Sequence, residues 1–473
     1  MIKSRLAYLL IGFFFFTLFV YGRGNLPDSL HSEIATYPIH SDNYTIHIQS
    51  IGSTNPIASW NSHISRPPAS VIKLLTTYAA LLELGYNYRW ETKFFYTGYI
   101  RQGVLRGDII VKASGDPTLS TEDIGSIVSQ IHAAGIKKVL GNIVIDRSLF
   151  RVPNRNNSGF DKNLYSPYNA MPDAIMFNER KSTLCITPSG RSVRIDRIDN
   201  DKSYKIVNRL RVVNGSCRRG QSWPRVSIKT DANQRSTIFL SGRLSNRCGK
   251  RIICKVVSMP HRSFYYALKE ELKKQGIGFS GTLKLKRVPR SAKYLFSHYS
   301  DTLEEVISVV NKESNNVVAR QIMLTLGAKL ANLPSTTFKG RKAIERILGR
   351  YNILQGKTFI ANGSGLSRKS RLTAQSLANL LDHAALNYGQ RWMDTLAIAG
   401  VDGTIKRRFA HSSICCRAWM KTGTIKGVSN IAGYVEGASG EKYVVVVLVN
   451  DRYASRYGRE LANSVIEWVG NNL

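Results

Sequence analysis

The sequence predicts an α/β protein in which a helical domain with a terminal antiparallel sheet is interrupted by a long β-rich insertion. Residues 70–84 carry apolar side chains at helical spacing. Residues 92–290 are dominated by short alternating segments separated by turns, a pattern typical of strands. From Thr302 the pattern becomes helical again, and two strand-like runs then precede a last helix. A domain that begins before the insertion and is completed after it explains this order.

Local signals place the elements. The first helix follows the helix-breaking pair Pro67-Pro68 and stops at Gly85. Strands are expected at 44–50, 57–60, 93–100, 108–115, 137–150, 205–213, 225–230, 236–242, 254–259, 428–436 and 442–450. Further helices are expected at 121–135, 301–314, 315–330, 341–351 and 456–471. The predicted division is a split domain over 25–91 and 291–473, with the insertion over 92–290.

The N-terminus, residues 1–24, is typical of an export signal. Lys3 and Arg5 precede an almost unbroken apolar run over 6–20, which is short for a membrane span. No clean small-residue cleavage site follows the run. A cleaved signal peptide is the favoured interpretation and an uncleaved anchor the alternative. Both predict an exported, periplasmic protein, which the uncleaved segment would associate with the membrane.

Export allows the six cysteines to form disulfides, although sequence alone cannot choose among the possible pairings. Cys217 and Cys248 flank a stretch with the composition of a hairpin, so they are the first pair to test. Cys415 and Cys416 are adjacent, and a bond between them would strain the intervening peptide. Separate partners or free thiols are expected for these two. None of the cysteines has the spacing of a zinc site.

The formal charge of +35 is extreme. Such a charge concentrates polyanions near the protein, and an exported protein meets anionic wall polymers and lipid headgroups. The basic residues are spread along the chain and no nucleic-acid-binding module is recognisable, so a nucleic-acid partner is not expected. Peripheral contact with an anionic wall or membrane surface and a generally basic solvated surface remain alternatives.

Three short motifs carry potential chemistry. Ser70-Val71-Ile72-Lys73 places a hydroxyl and an amine on one face of a helix start, where a lysine of lowered pKa can activate a serine. The spacing alone is weak evidence, because Ser439-Gly440-Glu441-Lys442 has it too, and a helix-capping serine is the plain alternative.

The second and third motifs are Ser314-Asn315-Asn316 and Lys421-Thr422-Gly423-Thr424. Each has an ordinary structural explanation, as a helix cap and as an edge strand whose glycine allows close approach. In chain order, however, S-x-x-K, S-x-N and K-T-G form the signature of penicillin-recognising serine enzymes.

With these motifs the chain resembles the D-Ala-D-Ala carboxypeptidases of the class C low-molecular-mass penicillin-binding proteins, peptidase family S13. The resemblance covers nearly the whole mature chain and includes family-like stretches at 66–81, 113–119, 141–150, 362–368 and 399–408. It implies the penicillin-recognising fold, an antiparallel sheet with helices, and two domains inserted between Lys73 and Ser314. It also implies hydrolysis of peptidoglycan stem peptides, both as carboxypeptidase and as endopeptidase, with β-lactams as covalent inhibitors.

The resemblance also implies roles for single residues. Ser70 is expected as the acylated nucleophile and Lys73 as its base, while Ser314 would pass a proton to the leaving group. Asn316 would hold the peptide and Lys73. Lys421 and Thr422 would bind the terminal carboxylate, next to Gly423, and the N–H groups of Ser70 and Thr424 would form the oxyanion hole. Asp161 and Arg368 would face a diaminopimelate side chain. Lys426 departs from the family pattern, which has a neutral residue there, and suggests a more anionic substrate.

Two rival interpretations remain. A β-lactamase or esterase would share the chemistry, but no E-x-x-x-N water-activating motif occurs in a plausible loop, and the long insertion argues against it. The second rival is a protein that binds polyanions through its charge and has no catalytic activity. On this interpretation the order of the three motifs would be a coincidence. The sequence has no G-x-S-x-G, H-E-x-x-H or complete Walker motif, and no cofactor or metal is implied.

Overall fold

A computed structural model describes residues 24–199 and 201–473. The predicted export signal, apart from Gly24, therefore lies outside the described residues. Within the described ranges, none of the helices combines the length and the apolar character needed to cross a bilayer.

The chain first builds one edge of the main sheet and then the first long buried helix. The elements are α1 (Asp28–Ile34), β1 (Tyr44–Ser50), β2 (Ala58–Trp60) and α2 (Lys73–Leu84). The predicted β1–β2 hairpin is confirmed, with Ile46 opposite Trp60. The predicted helix 70–84 begins as a 3-10 turn over Ala69–Ile72 and becomes α-helical only at Lys73.

The first part of the insertion is a layer of sheet covered by helix. Its elements are β3 (Glu91–Tyr96), β4 (Tyr99–Arg101), β5 (Val104–Arg106), β6 (Ile109–Lys112), α3 (Thr121–Ala133), β7 (Lys138–Val139) and β8 (Ile143–Asp146). Two predicted strands are each broken in two. A turn at Gly98, with φ of 74°, separates β3 from β4. Gly141 lies between β7 and β8, where a Cβ would stand 2.2 Å from the Gly107 carbonyl oxygen.

The second part of the insertion contains two three-stranded sheets, ordered β10-β9-β14 and β11-β13-β12. Their strands are β9 (Ser182–Ser189), β10 (Ser192–Arg197), β11 (Lys205–Val213), β12 (Arg225–Thr230), β13 (Ser236–Ser245) and β14 (Arg251–Lys255). Cys217 and Cys248 form a disulfide here, as expected. Cys415 and Cys416 are free thiols, in line with one of the two expectations.

The chain then returns to the first layer before it re-enters the main domain. The elements are α4 (Pro260–Lys274), β15 (Gly278–Phe279), β16 (Leu283–Leu285) and β17 (Lys293–Tyr299). β17 pairs antiparallel with β3 and completes the five-stranded sheet β16-β8-β6-β3-β17. β17 lies after residue 291, on the main-domain side of the predicted boundary, yet it pairs with β3 of the insertion. The division into domains itself stays a prediction.

The remaining chain supplies most of the main domain. Its elements are α5 (Leu303–Lys312), α6 (Asn316–Leu330), α7 (Thr337–Gly349), α8 (Ala374–Met393), β18 (Ala397–Ile398), β19 (Ala418–Ile425), β20 (Val428–Glu436), β21 (Lys442–Val449) and α9 (Arg459–Asn472). The six-stranded sheet runs β18-β19-β20-β21-β1-β2.

Both faces of this sheet are buried. On one face Val444, Val446 and Leu448 pack in the cluster that contains α2 and α5 to α8. On the other face Val445 and Val447 pack with α1 and α9. Burial on both faces explains the continuous apolar run of β21. The predicted α/β fold class is confirmed, and the sheet between two helical layers sets β19 against the start of α2.

Candidate functional site

Ser70 lies in the 3-10 turn that leads into α2, and the surrounding backbone is packed closely around it. Ala69 has φ of 45°, a conformation that non-glycine residues rarely adopt. A Cβ on Gly365 would lie 1.9 Å from the Ala69 carbonyl oxygen, and one on Gly423 would lie 2.9 Å from the Ser70 nitrogen. Asn430 donates to the Pro67 carbonyl at 3.0 Å. The turn is therefore held from both sides.

Lys73 is fully buried and binds three oxygens. Its Nζ donates to Ser70 Oγ at 2.8 Å, to Asn316 Oδ1 at 2.6 Å and to the Ser364 carbonyl at 2.5 Å. Burial holds the pKa of Lys73 well below its usual value, and the positive charges of Lys421 and Arg320 lower it further. A lysine in this state can accept the proton of the neighbouring hydroxyl.

The turn between α5 and α6 brings Ser314 and Asn316 to the same place. The predicted helix 301–314 ends at Lys312, and Ser314 has φ of 59°, which carries the chain back toward the site. Asn315 caps α6 by accepting from the Val318 N–H, and its amide donates to Glu179 Oε2 at 2.6 Å. Asn316 donates to the Tyr168 carbonyl at 3.1 Å, so it touches the insertion as well as Lys73.

The K-T-G motif lies on β19, against the Ser70 turn. Lys421 is fully buried, and its Nζ donates to Ser314 Oγ and to the Thr422 carbonyl, both at 3.0 Å. Burial lowers the pKa of Lys421 to about 7. Gly423 passes directly over the turn, where a Cβ would lie 2.8 Å from Pro68 O and Val71 N. Gly423 therefore lies at a close approach, as the structural alternative for K-T-G expected, but β19 is not the edge strand of that alternative, because it pairs with both β18 and β20.

A pocket of about 370 Å³ opens onto Ser70. It is lined by Ser70, Ser314, Thr404, Arg407, Arg408, Thr422, Thr424, Ser429, Asn430 and Arg459. The structure therefore brings Ser70, Lys73, Ser314, Asn316 and Lys421 together with Thr422, Gly423 and Thr424. The second S-x-x-K motif lies elsewhere, with Ser439 in the β20–β21 turn.

Asp161 and Arg368 lie near this group but do not line the pocket. Asp161 accepts from the Tyr168 hydroxyl at 2.7 Å, a bond that lowers the pKa of the carboxyl group, and the Tyr168 carbonyl in turn accepts from Asn316. The Arg368 guanidinium carbon lies 5.7 Å from the centre of the Phe160 ring. Arg368 also lines a separate cleft of about 770 Å³, together with Lys426.

Several residues that the sequence patterns did not indicate complete the site. Ser364 supplies the carbonyl that binds Lys73, and the buried Arg320 donates to Ser364 Oγ at 3.3 Å. Thr404 accepts from Thr422 Oγ1 at 2.8 Å. Ser364 and Thr404 lie in the stretches 362–368 and 399–408. The resemblance of these stretches to the family was the only feature of the sequence that could have pointed to the two residues. Nothing in the sequence marked Arg320.

Within the ranges that the structure describes, no group of three or more His, Cys, Asp or Glu could hold a metal ion.

This fold and this constellation define a class of protein, the serine hydrolases of the penicillin-recognising type. The family model of the D-Ala-D-Ala carboxypeptidase 3 (S13) family matches residues 26–471, and the chain belongs to this family. It is thereby a hydrolase of the D-Ala-D-Ala carboxypeptidase class.

Individual relatives agree with this placement. The chain is 26% identical over 407 residues to D-alanyl-D-alanine carboxypeptidase DacB of Haemophilus influenzae, a match over 85% of this chain and 84% of the relative. It is similar to the crystal structure of penicillin binding protein 4 (dacB) from H. influenzae, with a TM-score of 0.75 at 26% identity. The match covers 89% of this chain and 94% of that chain. The same relative complexed with a novel β-lactam gives a TM-score of 0.72 at 25% identity over the same shares.

Proposed function

We propose that the enzyme hydrolyses the D-Ala–D-Ala bond of peptidoglycan stem peptides, and D,D-cross-links between stems, through an acyl-enzyme on Ser70. The observation that carries this proposal is the 2.8 Å distance between Nζ of the buried Lys73 and Ser70 Oγ, which is short enough for a neutral amine to accept the Ser70 proton. Burial and the neighbouring cations lower the pKa of Lys73 and so favour its neutral form, and a neutral amine is a competent general base.

Acylation begins when Lys73 takes the Ser70 proton and Oγ attacks the carbonyl carbon of the penultimate D-alanine. The N–H groups of Ser70 and Thr424 stabilise the negative charge that develops on the carbonyl oxygen. Asn316 orients Lys73 and binds the peptide. When the tetrahedral intermediate collapses, the C–N bond breaks and the electron pair leaves with the amine.

The leaving amine takes its proton from Ser314, and Ser314 regains a proton from the protonated Lys73, so that both groups return to their starting state. Support comes from Lys421, whose amine lies 3.0 Å from Ser314 Oγ and favours its role as a relay. Lys421 and Thr422 bind the terminal carboxylate of the substrate, and Gly423 lets β19 approach the bound peptide. Water then hydrolyses the ester, which releases the shortened stem and restores the Ser70 hydroxyl. β-Lactams acylate the same oxygen, and the β-lactam complex of the similar penicillin binding protein supports this expectation.

The acyl side of the substrate faces the loops that carry Asp161 and Arg368. In this proposal Asp161 binds the free amine of a diaminopimelate residue and Arg368 its carboxylate. The contacts Asp161–Tyr168 and Tyr168–Asn316 support it, because they connect the loop of Asp161 directly to the site.

The enzyme acts outside the cytoplasm in this proposal, in the periplasm, after export by the signal at residues 1–24. The charge of +35 favours peripheral contact with anionic wall polymers or a membrane surface. Retention as an uncleaved anchor would give the same location.

The test is intact-mass measurement after incubation with benzylpenicillin. One adduct per molecule is expected on the wild type and none on Ser70→Ala. Ser439→Ala is the matched control, because Ser439 has the same S-x-x-K spacing, and this variant should keep the adduct. An adduct on Ser70→Ala, or none on the folded wild type, would contradict the proposal. Rapid loss of the adduct would instead identify a β-lactamase.

A further inference from the structure

The pocket that opens onto Ser70 is lined by three arginines, Arg407, Arg408 and Arg459. All of its lining residues belong to the described part of the chain, and none of them is acidic. The guanidinium groups of these arginines place positive charge on the wall of the pocket. Such a pocket favours an anionic occupant over a neutral one.

The three arginines differ in what holds them. Arg408 is positioned by the protein, since its Nε donates to Asn463 Oδ1 at 2.8 Å. For Arg407 and Arg459, the described residues provide neither an ion pair nor a hydrogen-bond acceptor for the guanidinium group. Both side chains are exposed on the pocket wall. Their donors are therefore available to a bound molecule, and a guanidinium binds carboxylates with paired hydrogen bonds.

The position of this pocket identifies the part of the substrate that meets it. Thr422 and Thr424 of β19 line it together with Thr404. If the proposed function holds, Thr422 binds the carboxylate of the leaving residue, so the pocket lies on the leaving-group side of the scissile bond. Its volume of about 370 Å³ corresponds to roughly a dozen water molecules. A single alanine would leave much of that space unfilled.

We propose that Arg407 and Arg459 form a subsite for the carboxylates of a second stem peptide, and that they favour cleavage of cross-links over release of free alanine. This inference rests on the proposed function. In a cross-link the leaving amine belongs to a diamino acid within another stem. That stem carries carboxylates beyond the one next to the scissile bond. Free alanine has only the single carboxylate that Lys421 and Thr422 already bind.

The test compares kcat/KM for a cross-linked stem dimer with kcat/KM for a single stem ending in D-Ala-D-Ala. The variant is Arg407→Gln with Arg459→Gln. The ratio of the two constants should fall about tenfold or more, the loss expected when charged hydrogen bonds are removed. Arg407→Lys with Arg459→Lys should restore part of the ratio, because the charge returns without the paired donors.

The matched control is Lys406→Gln with Arg456→Gln, which removes the same charge from exposed neighbours outside the pocket. Its ratio should equal that of the wild type. If the ratio is unchanged in the pocket variant, whether both constants fall equally or neither falls, this inference is overturned while the enzyme remains a carboxypeptidase. Failure of the wild type to cleave either substrate or to bind benzylpenicillin would overturn the proposed function, and the inference with it.

Discussion

Lys312 Nζ lies 2.5 Å from Asp402 Oδ2, and this ion pair joins the two loops that flank the site. Lys312 is the last residue of α5, two positions before Ser314. Asp402 precedes Thr404 and also accepts from the Ile398 N–H at 2.8 Å. The pair is partly buried, so water screens it less than an exposed pair. It therefore fixes the distance between the Ser314 turn and the loop of Thr404.

Loosening this connection should impair the reaction more than the fold. We expect Lys312→Met to lower kcat/KM for a D-Ala-D-Ala substrate about three- to tenfold through misplacement of Ser314, as small displacements reduce catalysis. The free energy of unfolding should fall by only about 1 kcal/mol. Lys342→Met is the control, since it removes an exposed helical ion pair with Glu345. If both variants keep full activity, the ion pair has no positioning role.

Gly423 should tolerate no side chain. A Cβ at this position would lie within 2.9 Å of backbone atoms of Pro68, Ser70 and Val71, so Gly423→Ala must push β19 away from the Ser70 turn. We expect the rate of acylation by benzylpenicillin to fall about 100-fold or more, as for loss of an oxyanion-hole donor. Gly349→Ala is the control, because a Cβ there meets no neighbouring atom. Unimpaired acylation of Gly423→Ala would show that this close approach is not required.

The two buried lysines predict a bell-shaped pH dependence of kcat/KM. In the proposed mechanism acylation needs Lys73 neutral, and its lowered pKa places the rising limb well below the usual range of lysine. The proposed binding of the substrate carboxylate needs Lys421 protonated, and the pKa of about 7 for Lys421 places the falling limb near pH 7. Lys421→Arg should keep its charge and remove the falling limb, even at a lower maximal rate. A falling limb that persists at the same pH in this variant must belong to another group.

Burial of Lys421 should also make stability depend on pH. An exposed lysine has a pKa of 10.5, whereas the pKa of Lys421 in the folded enzyme is about 7, so the unfolded chain binds more protons between these limits. The free energy of unfolding therefore rises with pH across this window, by at most about 1.4 kcal/mol per pH unit. Lys421→Met should lose this slope and be more stable than the wild type at pH 7, although inactive. The measurement is the free energy of unfolding from chemical denaturation as a function of pH. The same pH dependence in the wild type and in Lys421→Met would contradict this prediction.

The sequence predicted the parts of the site that depend on local order and on motif identity. The helix start at Ser70, the turn at Ser314 and the strand of Lys421 each have a short local signature, and the structure brings the three together. The α/β fold class also followed from periodicity. Helix α8 was missed, whereas the strand expected at the K-T-G motif is β19.

The contributions that sequence reasoning missed come from long-range packing. Arg320 lies on a helix that is buried on nearly all sides, so its charge near Lys73 has no local pattern. Ser364 acts through its backbone carbonyl, which every residue possesses. The Tyr168 carbonyl reaches Asn316 from within the insertion. Such contacts depend on how distant segments meet, and a single sequence does not contain that information in readable form.

The order of strands in the main sheet has a consequence for how the enzyme is made. β1 is hydrogen-bonded to β21, with Tyr44 opposite Val449, so an early strand cannot pair until a much later one exists. During synthesis from the N-terminus Ser70 emerges early, whereas β19 and β21 follow only after the whole insertion and the helices α5 to α8. Pairing over such a separation is slow, because the entropy of closing the loop must be overcome first. The growing chain therefore carries the proposed nucleophile but has no complete active site until β21 has been synthesised.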